Sequence, residues 1–317
     1  MENRIPRIWA ELEKSCWAIL PEKLEAIMAF LRLAAERESV PMAAASAPAQ
    51  RQVQHVAVLP LFGTISHRAG LLTQFSGGTS TEVFIHAFRQ VVADSKVGAV
   101  VIEVDSPGGN VTGIPETAQE VLRSRGRKPI VAVGNALVAS AAFWIASAAD
   151  EFVVTPSGRV GSIGVLAVYP DTSGLEGKDG VVHRIFAAGK YKAEMNPYEP
   201  LADSAAAHLQ AEVNRYYEMF VADVAKGRDV SVGTVKNGFG EGRLVGAKEA
   251  VAQGMADRVA TLDETIVRLT RQDPKKAFPR AADERAARRY KEPPIAASVG
   301  DHLSFEDRMR MNRLRYL

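Results

Sequence analysis

Residues 98–110 read GAVVIEVDSPGGN and residues 130–149 read IVAVGNALVASAAFWIASAA. Each begins with a β-branched apolar run of strand length and ends in small residues that lead into a helical pattern. The first gives a strand from Gly98 to Val104, a loop over Asp105 to Asn110 and a helix from Pro115 to Ser124. The second gives a strand from Ile130 to Val133 and a helix from Ala141 to Ala149. Working outward, a strand at Val56 to Leu61 and a helix at Glu82 to Asp94 precede them. Strands at Glu151 to Val154, Gly161 to Val168 and Val182 to Phe186 follow. A long helix from Ala205 to Lys226 then carries Leu209, Val213, Tyr217, Phe220 and Val224 on one side, and the pattern closes near Leu269. Strand and helix alternating at this spacing predict an α/β fold of repeated βαβ units.

The flanks read differently. Leu24, Ile27, Met28 and Leu31 recur at helical spacing after Pro21, so residues 21–37 are expected to form an amphipathic helix in an N-terminal helical segment, 1–39. Residues 40–54, VPMAAASAPAQRQVQ, are small and polar with two prolines, and read as a linker. Residues 55–271 are the body. Residues 272–317 hold eleven Lys or Arg against seven Asp or Glu and are broken by Pro274, Pro279, Pro293 and Pro294, which suits a charged, flexible tail.

Composition narrows the function class. Of 317 residues, 47% are hydrophobic and 24% charged, enough for a large core and against general disorder. No apolar run approaches the roughly 18 residues of a membrane span, and the first residues do not resemble an export signal. One cysteine, Cys16, excludes an internal disulfide, and with six scattered histidines it disfavours a structural zinc site. A reducing cytoplasm is the natural compartment. The net charge of +2 makes no case for nucleic acid as a required partner.

Two loops have chemical potential. In Asp105-Ser106-Pro107-Gly108-Gly109-Asn110 the paired glycines let the backbone turn N–H groups toward a ligand, although a tight βα turn has the same appearance. A phosphate loop fits less well, since the lysine and hydroxyl of that motif are missing. In Ala139-Ser140-Ala141-Ala142-Phe143-Trp144, Ser140 sits at a helix mouth, where it suits either an N-cap or a nucleophile flanked by small residues and helix N–H dipoles. A serine nucleophile needs a base. His67, His86, His183 and His208 have no neighbouring Asp arrangement that suggests a triad. The alternative is a lysine in Gly189-Lys190-Tyr191-Lys192-Ala193-Glu194, but its ordinary pKa of about 10.4 means that neutrality near pH 7 requires burial worth about 4 kcal/mol. Spacing alone does not choose between Lys190 and Lys192.

Taken together and in order, VIEVDSPGGN, ALVASAAFWIASAAD, TPSGRVGSIGV, AAGKYKAEMNPYEPL and GRLVGAKEAVAQGMAD resemble the SppA-like serine peptidases (signal peptide peptidase A family), of the Clp protease and crotonase superfamily. The resemblance runs from about Val56 to Leu269. It implies a Clp protease/crotonase-like fold, Ser140 as nucleophile, Lys192 as general base, and N–H groups of Gly108 or Gly109 and of Ala141 as the oxyanion hole. It implies no metal, nucleotide or other cofactor. Family members often carry Gly-Gly after the nucleophile, where this chain has Ala141-Ala142, as phage-type members commonly do. The lead-in WAILPEKLEAIMAFL and the SHRAG and FSGGTS segments resemble phage and prophage head-maturation proteases. The implied partners are capsid scaffold and portal proteins, cut inside the immature capsid in the host cytoplasm. A homo-oligomeric ring with dyads shared between subunits is also implied. A host peptidase degrading peptides, a crotonase-like acyl-CoA enzyme and a non-catalytic scaffold component are the rival readings.

Overall fold

The computed structural model describes residues 15–35, 50–69, 77–171, 173 and 183–271. The first 14 residues, the tail 272–317 and most of the linker lie outside the described residues. The chain order is β1 (Cys16–Ile19), α1 (Pro21–Ala35), β2 (Arg51–Val53), β3 (Val56–Phe62), β4 (Ile65–Ser66), β5 (Thr79–Ser80), α2 (Thr81–Ala93), β6 (Ala99–Ser106), β7 (Gly108–Asn110) and α3 (Ile114–Ser124). It continues with β8 (Ile130–Ala139), α4 (Ala141–Ala146), β9 (Glu151–Val154), β10 (Arg159–Gly161), β11 (Leu166–Ala167) and α5 (Asp203–Arg228). The last elements are α6 (Val232–Gly238), β12 (Leu244–Gly246), α7 (Ala247–Ala252), β13 (Arg258–Val259) and α8 (Leu262–Arg271).

The central sheet is built on the parallel strands β3, β6 and β8, with β9 and β10 both parallel to β8 at its two ends. Strand residues alternate between two buried faces, as a parallel sheet with helices on both sides requires. Ala57, Leu59, Val100, Ile102 and Ala132 point into the main core with Phe84 and Phe88 of α2 and the whole of α4. Val56, Val58, Val101, Val131 and Val133 point the other way, onto Leu262, Ile266 and Leu269 of α8. The expected α/β class with repeated βαβ units is therefore present.

A second, five-stranded sheet has the order β11-β1-β7-β4-β5. This sheet differs from the sequence expectation in two ways. The N-terminal stretch was expected to be helical, yet Cys16–Ile19 is a strand, antiparallel to both β7 and β11. Gly161 to Val168 was expected to be one strand, but the backbone turns at Gly161 (φ +120°) and Ser162 (φ +54°). The chain there leaves the central sheet after β10 and joins the small sheet as β11. At the end of the linker, Arg51–Val53 is an edge strand on β3 rather than coil.

Candidate active site

The two loops picked out in the sequence meet where β6 and β8 end, at the carboxyl edge of the parallel sheet, the usual position for sites in α/β folds. Ser140 joins β8 to α4 with φ 56° and ψ −119°, a conformation that side chains other than glycine adopt only under strain of about 1–3 kcal/mol. Backbone bonds hold it there. Its N–H donates to Gly161 O at 2.8 Å, and its carbonyl accepts the Trp144 N–H at 3.0 Å. Although Ser140 holds the N-cap position, its hydroxyl makes no capping bond. The hydroxyl instead faces Gly164 O at 3.4 Å, a long contact that leaves Oγ weakly committed. A strained strand-to-helix turn is the geometry of a nucleophile elbow and not of an ordinary cap.

The glycine pair lies against this turn. Gly108 has φ +98°, and a Cβ there would come within 3.0 Å of the Ser140 Cβ and 2.2 Å of Ala18 O. A Cβ on Gly109 would fall 1.8 Å from Ile65 O. These glycines are thus fixed by backbone packed on both sides of β7. Ser106, fully buried, closes the turn: its Oγ accepts the Gly108 N–H at 3.1 Å and donates to Gly63 O at 2.6 Å. Of the expected oxyanion donors, Gly108 therefore has an internal partner in this state. Ala141 opens α4, where the helix offers its N–H no acceptor.

Tertiary contacts rather than helix length hold α4, which is shorter than its apolar run suggested. Arg125 donates to the carbonyls of Ser147, Ala148, Ala149 and Gly227 at 2.5–3.1 Å and so ends the helix early. Trp144 stacks on Phe220 of α5 with ring centroids 4.5 Å apart, and its indole N–H donates to Asp223 Oδ2 at 2.9 Å. Gln119 of α3 donates to the other Asp223 oxygen at 2.6 Å. Asp223 thus links three helices around the nucleophile turn. Asp223→Ala is expected to cost about 1.5–3 kcal/mol of stability, because hydrogen bonds to a charged group are lost and an indole N–H is left without a partner. Urea denaturation of the variant against the parent chain measures this.

Lys192 is placed differently. It lies in an exposed stretch that follows residue 182, and its backbone N–H donates to Gly189 O at 3.1 Å. Among the described residues no hydrogen bond joins its amine to Ser140, whereas Gly108 and Ala141 adjoin that serine directly. Lys190 is also exposed, with its amine 4.8 Å from the Tyr191 ring centre. The strand expected at Val182 to Phe186 is not formed over His183 to Phe186, and Phe186 is 93% exposed. Among the described residues no histidine is bonded to Ser140: His183 stacks on Tyr198, His55 faces Leu269 O and His67 faces Thr81. Gly161, Gly164 and Ser106 were not singled out in the sequence. Only the small-residue strings GSIG and DSPGG pointed toward them.

Residues 123–275 match the sequence profile of peptidase family S49. The chain carries an S49 peptidase domain. Its match contains Ser140, Gly161, Gly164 and Lys192, while the Gly108-Gly109 turn precedes it. The chain is 32% identical over 227 residues to the head-tail preconnector protein GP5 of Enterobacteria phage P21, covering 71% of this chain and 45% of that protein. It is 32% identical over 211 residues to the capsid assembly protease C of Escherichia phage lambda, covering 67% and 48%. It is 29% identical over 184 residues to a putative signal peptide peptidase SppA of Enterococcus faecium, covering 58% and 53%. The chain thus spans about half the length of these relatives. Among its described residues no helix is long and apolar enough to cross a membrane.

Proposed function

We propose that this chain is a serine endopeptidase with a Ser140-Lys192 dyad that cuts scaffold and portal proteins during phage capsid maturation. The observation that carries the reading is the strained Ser140 turn, which lies inside the S49 match and packs on the Gly108-Gly109 strand. Ser140 Oγ attacks the scissile carbonyl and its proton passes to the neutral Lys192 amine. The developing oxyanion is bound by the Ala141 N–H and by a glycine N–H of β7. Collapse of the tetrahedral intermediate expels the amine half of the substrate with that proton, and water then hydrolyses the acyl-enzyme. If Gly108 is the glycine donor, its bond to Ser106 must be shared or exchanged at that step. An S49 domain supports peptidase chemistry over the acyl-CoA reading, and likeness to a phage capsid assembly protease supports the capsid role over a host role. The setting is then the bacterial cytoplasm, within the immature capsid.

The single-chain geometry also bears on assembly. Lys192 is exposed here, whereas a general base must be neutral and within reach of Oγ. In the same stretch of sequence Ile185, Phe186, Tyr191, Met195 and Tyr198 are exposed, apolar side chains that suit a subunit contact. We read the lysine stretch as completing the site of a neighbouring subunit in a ring.

The testing experiment treats the protein with an alkyl fluorophosphonate and maps the adduct by mass spectrometry. Modification of Ser140 is expected. Absence of an adduct in the assembled protein, or modification at another serine, overturns the assignment. Lys190→Ala is expected to keep activity within about threefold of the parent chain, because an amine resting on the Tyr191 ring contributes surface charge and not proton transfer. Casein hydrolysis by the two proteins measures it.

A further inference from the structure

Ser140 is only 1% exposed, although attack on a peptide requires the scissile carbonyl to come within about 3–3.5 Å of Oγ. The segment beside it is β1. This strand lies between β7 and β11 and is antiparallel to both, with Ala18 opposite Gly109, Ile19 opposite Gly108, Trp17 opposite Leu166 and Cys16 opposite Ala167. Both walls of that slot are tied to Ser140. β7 starts at Gly108, where an added Cβ would touch the Ser140 Cβ, and β11 starts two residues beyond Gly164, the acceptor of the Ser140 hydroxyl.

An extended peptide binds an open strand edge through main-chain hydrogen bonds, with its side chains alternating between two faces. With β1 absent, β7 and β11 would present two such edges facing each other across the serine. The occupant shows what the slot accepts: the small side chains of Cys16 and Ala18 face the main core, and Trp17 and Ile19 face the other way. Trp17, Ile19 and Leu24 form a cluster of their own, joined by Ile27 and Met28 of α1 and by Leu166 and Val168. β1 and α1 therefore hold one another as a unit largely outside the main core. The end of the strand is not offered as a scissile bond, because the Leu20 carbonyl accepts the N–H groups of Lys23 and Leu24 as α1 begins.

We propose that Cys16–Ile19 is an internal occupant of the peptide slot beside Ser140, and that a protein substrate reaches the serine by displacing it as an antiparallel strand. The ligand class is an extended peptide with small residues at alternate positions. The inference rests on Ser140 being the nucleophile, and the test separates the two.

Cys16 is the chain's one cysteine, so Ala167→Cys places a single possible disulfide between β1 and β11. Antiparallel partners lie about 4.5–5.5 Å apart at Cα, within the range a disulfide spans. The variant is assembled as the parent protein is, oxidised, and checked for the cross-link by mass. Casein hydrolysis is expected to fall at least about tenfold on oxidation and to return with dithiothreitol. Equal hydrolysis by the cross-linked and reduced forms overturns the inference and leaves Ser140 as nucleophile. Inactivity of the reduced variant and of the parent, with Ser140 unmodified by fluorophosphonate, overturns the function reading and the inference with it. Should the variant not fold, hydrogen exchange on Ser140→Ala protein saturated with casein decides the matter. Faster exchange at 16–20 than without casein supports displacement, and unchanged protection there overturns it.

Discussion

Ser140→Ala is expected to lower the rate of casein cleavage by at least about 10³-fold while leaving the fold in place, since loss of a serine nucleophile removes the covalent pathway as a unit. The structural cost is small for a stated reason. The hydroxyl caps nothing, and its one bond, to Gly164 O, is long. Ser140→Gly sharpens the prediction. Both variants are inactive, but glycine accepts φ 56° and ψ −119° without the strain that a Cβ imposes there, whereas alanine retains that strain. Relief of about 1–3 kcal/mol, less the roughly 0.5–1 kcal/mol that glycine costs in chain entropy, predicts a glycine variant at least as stable as the alanine one. Thermal unfolding of the two compares them. A glycine variant markedly less stable than Ser140→Ala would mean that this turn stores no strain.

The strain also shows why part of this site was legible in the sequence and part was not. Strands β3, β6 and β8 are apolar runs buried on both faces, a local pattern that composition and length reveal. The helix mouth at Ser140 and the glycine pair are likewise local strings. β1 is four residues whose meaning lies in two partners, one about 90 positions away and the other about 150, so no local pattern announced it. Gly161 and Ser162 carry the turn that sends the chain from one sheet to the other, and a β-branched run continuing through them disguised it. His183 to Phe186 show the opposite failure: a stretch that reads as a strand is not one, and its apolar Ile185 and Phe186 are exposed in the single chain. Apolar residues report that a surface is covered, but not by which copy of the chain.

That distinction decides the second large effect. Lys192→Ala is expected to be as inactive as Ser140→Ala, because a hydroxyl without a base is a weak nucleophile. If the lysine served its own chain, mixing the two inactive proteins would change nothing, since every serine-bearing chain would lack its amine. The exposed position of Lys192, flanked by Phe186, Tyr191 and Tyr198, argues for a neighbour that supplies both the cover and the serine. Removing the amine from water is what favours its neutral form, and a subunit contact over this apolar stretch would do so. In a ring mixed at equal proportions, about one contact in four would then join an intact Lys192 to an intact Ser140. Casein cleavage is expected to recover to roughly a quarter of the parent rate once subunits have exchanged. Exchange is verified separately by native mass spectrometry of differently tagged chains. Mixed rings that stay inactive would place the dyad within one chain and require the lysine stretch to fold back over its own Ser140.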